Sequence, residues 1–179
     1  NEDSDCVELA IKTIRAQYHP FKFVFYDLAF SRFSNRTLLE QQGFSEIHEY
    51  QANVVDLRQS EEDIFKGIHS KHRNSIRRAE REGVQFFEGK DSADVERYYH
   101  LSQATYQRTQ GKNVEKNVFL EAYQALHDSG NIRFFFVQHD GEIQSAAAIV
   151  MSPKRAVYWK GATKSKEITG ASNFLHWEI

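Results

Sequence analysis

The dipeptide Asp140-Gly141, set between two apolar runs, constrains the fold more than any other feature of the sequence. Residues 132–137 and 145–150 are rich in apolar and strand-forming side chains and flank this pair on both sides. Asp-Gly suits the positive φ angles of a tight hairpin turn. The sequence therefore predicts an antiparallel hairpin, and with it a sheet that is at least partly antiparallel.

The segments around this hairpin alternate between strand and helix patterns. Apolar residues recur at helical spacing in two stretches before it, and a glycine-containing loop leads into a helix that Ser172 begins. The predicted order is a strand, two helices, the hairpin, a strand and a helix, at residues 84–87, 93–110, 114–127, 132–150, 156–160 and 172 onward. This order predicts an α/β fold.

A single long helix is predicted before Gly83. Residues 60–63, Ser-Glu-Glu-Asp, are typical of a helix start because acids in the first turn favour the helix dipole. The helical pattern then continues to Glu82, for about six turns. Four cations share one face of this helix: Lys66, Arg73, Arg77 and Arg81.

The like charges on that face have two interpretations. Cations four residues apart repel by roughly 0.2–0.5 kcal/mol, so the face favours an anionic partner, and Arg73 and Arg77 are candidate substrate-binding residues. A solvated face that Glu80 and Glu82 partly compensate is the alternative. Arg73 and Arg77 are predicted to face solvent or a groove, with Ile76 buried.

Charge and cysteine content narrow the class of protein. Lys and Arg number 23 against 25 Asp and Glu in 179 residues, so no overall field favours nucleic acid or an anionic membrane. Cys6 is the single cysteine and cannot form an intramolecular disulfide. The sequence has no signal peptide and no apolar run that could span a membrane. We expect a cytoplasmic protein with no integral membrane segment.

The first 57 residues carry a separate alternation of helix, strand, helix and strand, the last strand at residues 50–57. The chain begins without Met, and it stops at Ile179 inside a helical pattern that no Gly or Pro ends. We therefore expect a fragment that is truncated at both ends.

Four short sequence stretches add to the evidence from the order of the elements. The stretches 70–84, 106–108 (Tyr-Gln-Arg), 158–162 (Tyr-Trp-Lys-Gly-Ala) and 172–178 (Ser-Asn-Phe-Leu-His-Trp-Glu) resemble the second module of Fem-type aminoacyl transferases, the peptidoglycan-bridge branch of the bacterial GNAT acyltransferases. The resemblance implies the GNAT fold, a mixed and mostly antiparallel sheet flanked by helices. It also implies two modules. Residues 1–57 would end the first, and residues 58–179 would form the second without its C-terminal strand and helix.

The resemblance implies acyl or aminoacyl transfer to an amine, with an anionic small molecule or a peptidoglycan precursor as acceptor and no bound cofactor. The donor is aminoacyl-tRNA in Fem-type enzymes and acyl-CoA in many other GNAT enzymes. Residues 167–172 depart from the Gln/Arg-x-x-Gly-x-Gly/Ala loop of acetyl-CoA users, and the long helical hairpin of some Fem enzymes is absent. The alternatives are a CoA-dependent N-acetyltransferase and a non-catalytic domain that binds an anionic partner through the basic helix.

The resemblance places Tyr158, Lys160 and Gly161 at the end of a strand whose backbone N–H groups meet the acyl carbonyl. Tyr158 and Lys160 are two residues apart, so they are predicted to share one face and are the candidate catalytic residues. A backbone donor aimed at the developing oxyanion contributes about 3 kcal/mol. Ordinary sheet packing is the alternative for Tyr158 and its neighbour Trp159.

Three more residues are candidate substrate-binding groups. The resemblance brings Arg108 near the acceptor, where its planar fork suits a carboxylate or phosphate; favouring the helix dipole is the alternative. Ser172 and Asn173 follow Gly170 at a helix start, a generic anion site, with simple capping as the alternative. Arg108, Tyr158, Lys160 and the helix start are predicted to border one pocket.

No other type of reactive centre is evident. His69 and His72 have no carboxylate or cysteine beside them to complete a metal site, and the sequence contains neither a Gly-x-Ser-x-Gly nor a Gly-x-x-x-x-Gly-Lys motif. Transfer needs a base, because a free amine has a pKa of about 10. His176 and Glu178 are candidates, and packing or a solvated helix face is the alternative role for them.

Overall fold

The structure, a computed structural model, describes residues 53–179 together with 8–9, 12–13 and 40–41. The chain divides into two compact units, residues 1–58 and 59–179. In the first unit the three residue pairs are helical, and residues 53–56 carry no regular structure, so the strand predicted to reach Leu57 is absent there. The other elements predicted for this segment lie outside the described residues, and its assignment to a preceding module stays a prediction.

The second unit is an α/β domain in the predicted order. Its elements are α1 Glu61–Gly67, α2 Ser70–Arg81, β1 Gln85–Glu88, α3 Ser92–Thr109, α4 Lys116–Leu126, β2 Ile132–His139, β3 Glu142–Ser152, β4 Arg155–Thr163 and α5 Ala171–Glu178. The four strands form one antiparallel sheet in the order β1-β2-β3-β4. The predicted fold class is confirmed.

The hairpin of β2 and β3 is confirmed at its predicted turn. Asp140 and Gly141 have φ angles of 49° and 76°, and His139 pairs with Glu142 on either side of them. Both central residues have positive φ, as a two-residue hairpin turn requires. The rest of the sheet builds outward from this pair of strands.

Each face of the sheet is covered by a pair of helices. The face under α2 and α5 is apolar through residues of four elements: Ile76, Ala79, Val137, Ile149, Phe174 and Leu175. The face under α3 and α4 is apolar through another set: Val95, Tyr98, Phe119, Phe134, Phe136 and Ala148. Because successive strand residues point to opposite faces, the continuous apolar runs of β2 and β3 serve both layers.

The long helix predicted over residues 60–82 is two helices. Ile68 and His69 have extended ψ angles of 137° and separate α1 from α2, and the ring of His69 accepts a hydrogen bond from Lys71 N at 3.2 Å, which caps α2. Gly67, whose helix propensity is low, ends α1. The even spacing of cations along one helix, on which the predicted stripe depended, is therefore broken between Lys66 and Arg73.

A β-bulge in β4 changes the face of one predicted catalytic residue. Tyr158 pairs with Ile149 and Lys160 pairs with Ala148, which leaves Trp159 as an extra residue. Paired residues of antiparallel strands share a face, so Tyr158 belongs to the α5 face and Lys160 to the α3 face. The prediction that Tyr158 and Lys160 share one face is wrong.

None of the helices that the structure describes combines the length and the apolar character needed to cross a membrane.

Candidate active site

Tyr158 of β4 and His176 of α5 form a ring stack at the edge of the described sheet. Their centroids are 4.7 Å apart and their planes are inclined by 32°. The phenol of Tyr158 also covers Gly161, since a β-carbon there would lie 2.7 Å from Tyr158 Cζ. The glycine thus makes room for the Tyr158 hydroxyl at the strand end where the sequence predicts the acyl carbonyl, and Tyr158 stays 47% exposed, so a substrate can reach it.

The two rings of this stack have complementary proton chemistry. Burial raises the pKa of Tyr158, and the neighbouring Tyr106 of α3 raises it further. Burial lowers the pKa of His176, although its side chain keeps contact with solvent. At neutral pH Tyr158 is therefore a protonated hydrogen-bond donor and His176 is an uncharged imidazole.

Arg108 does not join this stack. It lies exposed in the last turn of α3, on the sheet face opposite to α5. Lys160 lies on the sheet face opposite to Tyr158, whereas Tyr106, from the same end of α3 as Arg108, lies near enough to Tyr158 to raise its pKa. A pocket that Arg108 shares with Tyr158 stays a prediction. The end of α3 is held to the end of β4, where Thr105 Oγ1 accepts a hydrogen bond from Thr163 N at 2.9 Å. A binding role for Arg108 at that edge stays a prediction.

The helix start at Ser172 is engaged by the chain's own groups. Ser172 Oγ donates to Glu167 Oε2 at 2.6 Å and lies 3.3 Å from Ser145 Oγ on β3. The carboxylate of Glu167 therefore lies beside the first turn of α5, where the helix dipole favours negative charge. Sequence reasoning missed Glu167, although a carboxylate five residues before Ser172 was a signal for it.

Helix α2 closes the same end of α5 from the other side. Gly170, the N-cap of α5, has φ 95°, and a β-carbon on it would lie 2.8 Å from the carbonyl carbon of Ser75 in α2. One turn earlier in α2, His72 Nδ1 is 2.9 Å from Asn173 Oδ1. Both candidate anion-binding residues, Ser172 and Asn173, thus have side chains bound within the protein.

Arg73 works as a connector between two helices. Its guanidinium donates to the carbonyl oxygen of Lys66 at 2.9 Å and to that of Ile68, the last carbonyl groups of α1. It is half-buried and forms no ion pair with a core carboxylate among the described contacts. Ile76 is 2% exposed, as predicted. The donors of Arg73 that bond to α1 are not available to an anionic substrate.

Arg77 lies over the ring of Phe65, with Cζ 5.3 Å from the ring centroid. It lines a surface cavity of about 610 Å³ whose other walls are Ser60, Glu61, Glu62, Phe65, Glu80 and Trp177. Three carboxylates share this cavity with one guanidinium. The local charge therefore opposes an anion at Arg77.

The basic side of α2 lies elsewhere on the helix. A cavity of about 440 Å³ is lined by Ser70, Lys71, Asn74, Ser75, Arg78 and Thr169. Its two cations are exposed, and Arg78 also pairs with Glu82 at 2.7 Å. Within the part of the chain that is described, no group of three or more His, Cys, Asp and Glu side chains could hold a metal ion.

A buried polar group inside the α3 layer was missed by sequence reasoning. Tyr98 is 0% exposed, burial strongly raises the pKa of its hydroxyl, and Ser102 is the polar neighbour that opposes this shift. Neither the Tyr98 hydroxyl nor Asn113 Nδ2 completes a hydrogen bond with a described residue. Ser102 Oγ donates to Asn113 Oδ1 at 2.9 Å. These residues leave two buried donors unpaired.

Comparison with solved structures shows a shared fold. The chain is similar to the crystal structure of FemX, with a TM-score of 0.63 at 12% sequence identity, over 67% of this chain and 46% of that one. The chain thus spans just under half the length of the FemX chain that it matches. No curated protein sequence matches it.

Comparison with family models gives a direct assignment. The model of the acetyltransferase (GNAT) domain matches residues 69–179, which include every element from α2 to α5 in full. This match covers more than half of the chain, and the fold agrees with it. The chain belongs to the GNAT acetyltransferase domain family.

Proposed function

We propose that this domain takes part in the transfer of an aminoacyl or other acyl group from a donor other than coenzyme A to an amine acceptor. Membership of the GNAT family supports acyl transfer in general. The contact between Glu167 and Ser172 at the N terminus of α5 is the observation that supports a donor other than coenzyme A.

A pyrophosphate-containing donor needs free N–H groups at that helix start. In acetyl-CoA users of the fold, a glycine-rich loop before this helix offers its amides to the phosphates, and the helix dipole adds to the attraction. Here Glu167 adds a carboxylate through Ser172, and the backbone of Ser75 lies against Gly170. A pyrophosphate at this helix start would meet the like charge of Glu167, which disfavours coenzyme A as the donor.

The stack of Tyr158 and His176 supports a transfer reaction at the edge of β4. The amine attacks the acyl carbonyl, and a donor is then needed for the oxyanion that forms. The Tyr158 hydroxyl, which lies over Gly161, is a donor at this edge. An enzyme of this kind works by positioning the two reactants and stabilising that charge.

The resemblance to Fem-type transferases favours aminoacyl-tRNA as donor and a peptidoglycan precursor as acceptor. The cavity that contains Lys71 and Arg78 offers two exposed cations to a polyanion such as tRNA. Arg108 at the end of α3 offers a bidentate partner to a carboxylate or phosphate of the acceptor.

A donor comparison tests the proposal. The protein is incubated with a lysine-containing peptidoglycan pentapeptide and either radiolabelled acetyl-CoA or tRNA charged with a mixture of radiolabelled amino acids. We expect label in the peptide from the charged tRNA only, and no heat of binding when acetyl-CoA is titrated in a calorimeter. Turnover with acetyl-CoA would contradict the choice of donor. Binding of tRNA with steep salt dependence and no transfer would indicate a non-catalytic domain.

A further inference from the structure

We propose that His176 is the general base that accepts the proton of the attacking amine. This inference rests on the proposed function and adds the catalytic group that acyl transfer requires. An amine attacks through its lone pair and becomes positively charged as the new bond forms, so a neutral acceptor beside the nitrogen lowers the barrier.

The position of His176 supports this role. Its ring lies on the ring of Tyr158, with centroids 4.7 Å apart, and the Tyr158 phenol covers Gly161. An acyl carbonyl that accepts a hydrogen bond from Tyr158 at this end of β4 would therefore lie close to the imidazole of His176. The side chain of His176 keeps contact with solvent, so an amine can approach it from outside.

The surroundings of the ring keep it uncharged. Burial is the cause that lowers the pKa of His176, and no charged side chain among the described residues adds to it. From β4 the ring faces the phenol of Tyr158, a neutral group at pH 7. From α2, His72 contacts Asn173, which lies one helical turn before His176. A neutral imidazole next to a protonated phenol is the pairing that a base and an oxyanion donor require.

The other titratable groups of this region suit the role less well. Burial raises the pKa of the Glu178 carboxyl group, and the negative charges of Glu80 and Glu61 raise it further. The pKa of Tyr158 is raised, so the phenol stays a donor at neutral pH. His176 is the neutral acceptor that lies against Tyr158.

The proposed step balances in protons and electrons. The unprotonated amine attacks the acyl carbon of an ester donor, a C–N bond forms, and the carbonyl π electrons move to the oxygen that Tyr158 stabilises. One N–H proton passes to the imidazole of His176. When the oxyanion collapses, the C–O bond to the donor breaks, and the leaving oxygen takes the proton from the imidazolium. His176 returns to its neutral state.

The test compares His176→Gln with the matched variant His127→Gln. His127 stacks on Tyr123 with centroids 4.3 Å apart, a similar ring pair in the α4 layer on the other face of the sheet. The kcat/KM for transfer from charged tRNA to the pentapeptide is measured between about pH 5 and pH 9, with and without added imidazole. We expect His176→Gln to lower kcat/KM about 100-fold and His127→Gln to change it less than about twofold.

Two readouts separate base catalysis from packing. Protonation of the acceptor amine lowers kcat/KM in every protein as the pH falls, and protonation of His176 adds a steeper fall in the wild type below about pH 6.5. His176→Gln should lose this second fall, and free imidazole should restore part of its activity. Full activity of His176→Gln, or a loss that imidazole does not repair with an unchanged pH profile, overturns the role of His176 alone. A wild-type protein that transfers no acyl group from any donor overturns the proposed function and this inference together.

Discussion

The backbone of Ser75 in α2 lies so close to Gly170 at the start of α5 that no β-carbon fits between them. The carbonyl carbon of Ser75 is 2.8 Å from the position that a Gly170 β-carbon would take, and Ser75 Cα is 3.2 Å from it. This approach fixes one end of α5 against α2. The stability of the domain therefore depends on this contact.

Replacing Gly170 by alanine should destabilise the domain strongly. The new methyl group would meet the backbone of α2 rather than a flexible side chain, and φ of 95° is unfavourable for any residue with a β-carbon. We expect a loss of about 3 kcal/mol or more in the free energy of unfolding, measured by urea denaturation.

Gly130→Ala is the matched control for that variant. Gly130 also has a positive φ of 72°, but a β-carbon there would meet nothing within 4 Å. Gly130→Ala should lower the free energy of unfolding only through the unfavourable φ angle, by about 1–2 kcal/mol. Equal losses in the two variants would mean that α2 does not press against α5 in solution.

Arg73→Gln should destabilise the junction of α1 and α2. Arg73 donates to the carbonyl groups of Lys66 and Ile68, and hydrogen bonds from a charged donor contribute about 1.5–3 kcal/mol. Because Arg73 is only half-buried, we expect a loss of about 1–2 kcal/mol. Arg81→Gln, at an exposed position of the same helix, should cost less than about 0.5 kcal/mol. An equally small loss of stability in both variants would mean that Arg73 does not stabilise the junction of α1 and α2.

Tyr98→Phe should leave the domain as stable as before or stabilise it by up to about 1 kcal/mol. The substitution removes a buried hydroxyl that no described residue pairs with, and it keeps the ring against Phe119 and Phe134. Ser102→Ala is the comparison, since it removes a made hydrogen bond to Asn113 and should cost about 1 kcal/mol. Thermal unfolding measures the stability of both variants. A clear loss of stability in Tyr98→Phe would indicate that a water molecule pairs with the Tyr98 hydroxyl in the wild type.

Gly161→Ala should impair transfer more than folding. A β-carbon on Gly161 would lie 2.7 Å from Tyr158 Cζ, and the phenol can swing away because it is half exposed. The displaced ring would leave both β4 and His176. We expect kcat/KM to fall by about tenfold or more with a change in Tm of only a few degrees. Retained activity would place the oxyanion donors away from Tyr158.

Much of the domain could be predicted from local sequence patterns. Asp140-Gly141 determines the hairpin turn because its backbone preferences are local, and the helical periods of α3 and α4 are evident over more than ten residues each. The order of the elements and four short stretches, among them the one around Tyr158 and Gly161, were together sufficient to predict the family. These features depend on residues that are close together in the chain.

The arrangement of the candidate site depended on contacts between distant segments. The break at Ile68 is stabilised by Arg73 from the next helix, and the bulge at Trp159 that separates Tyr158 from Lys160 is set by pairing with β3. The closure of α5 requires Ser75 to meet Gly170 across 95 residues of sequence. Periodicity determines which face of an element is apolar, whereas register, bulges and helix-end contacts are selected by the packing of elements that the local pattern does not encode.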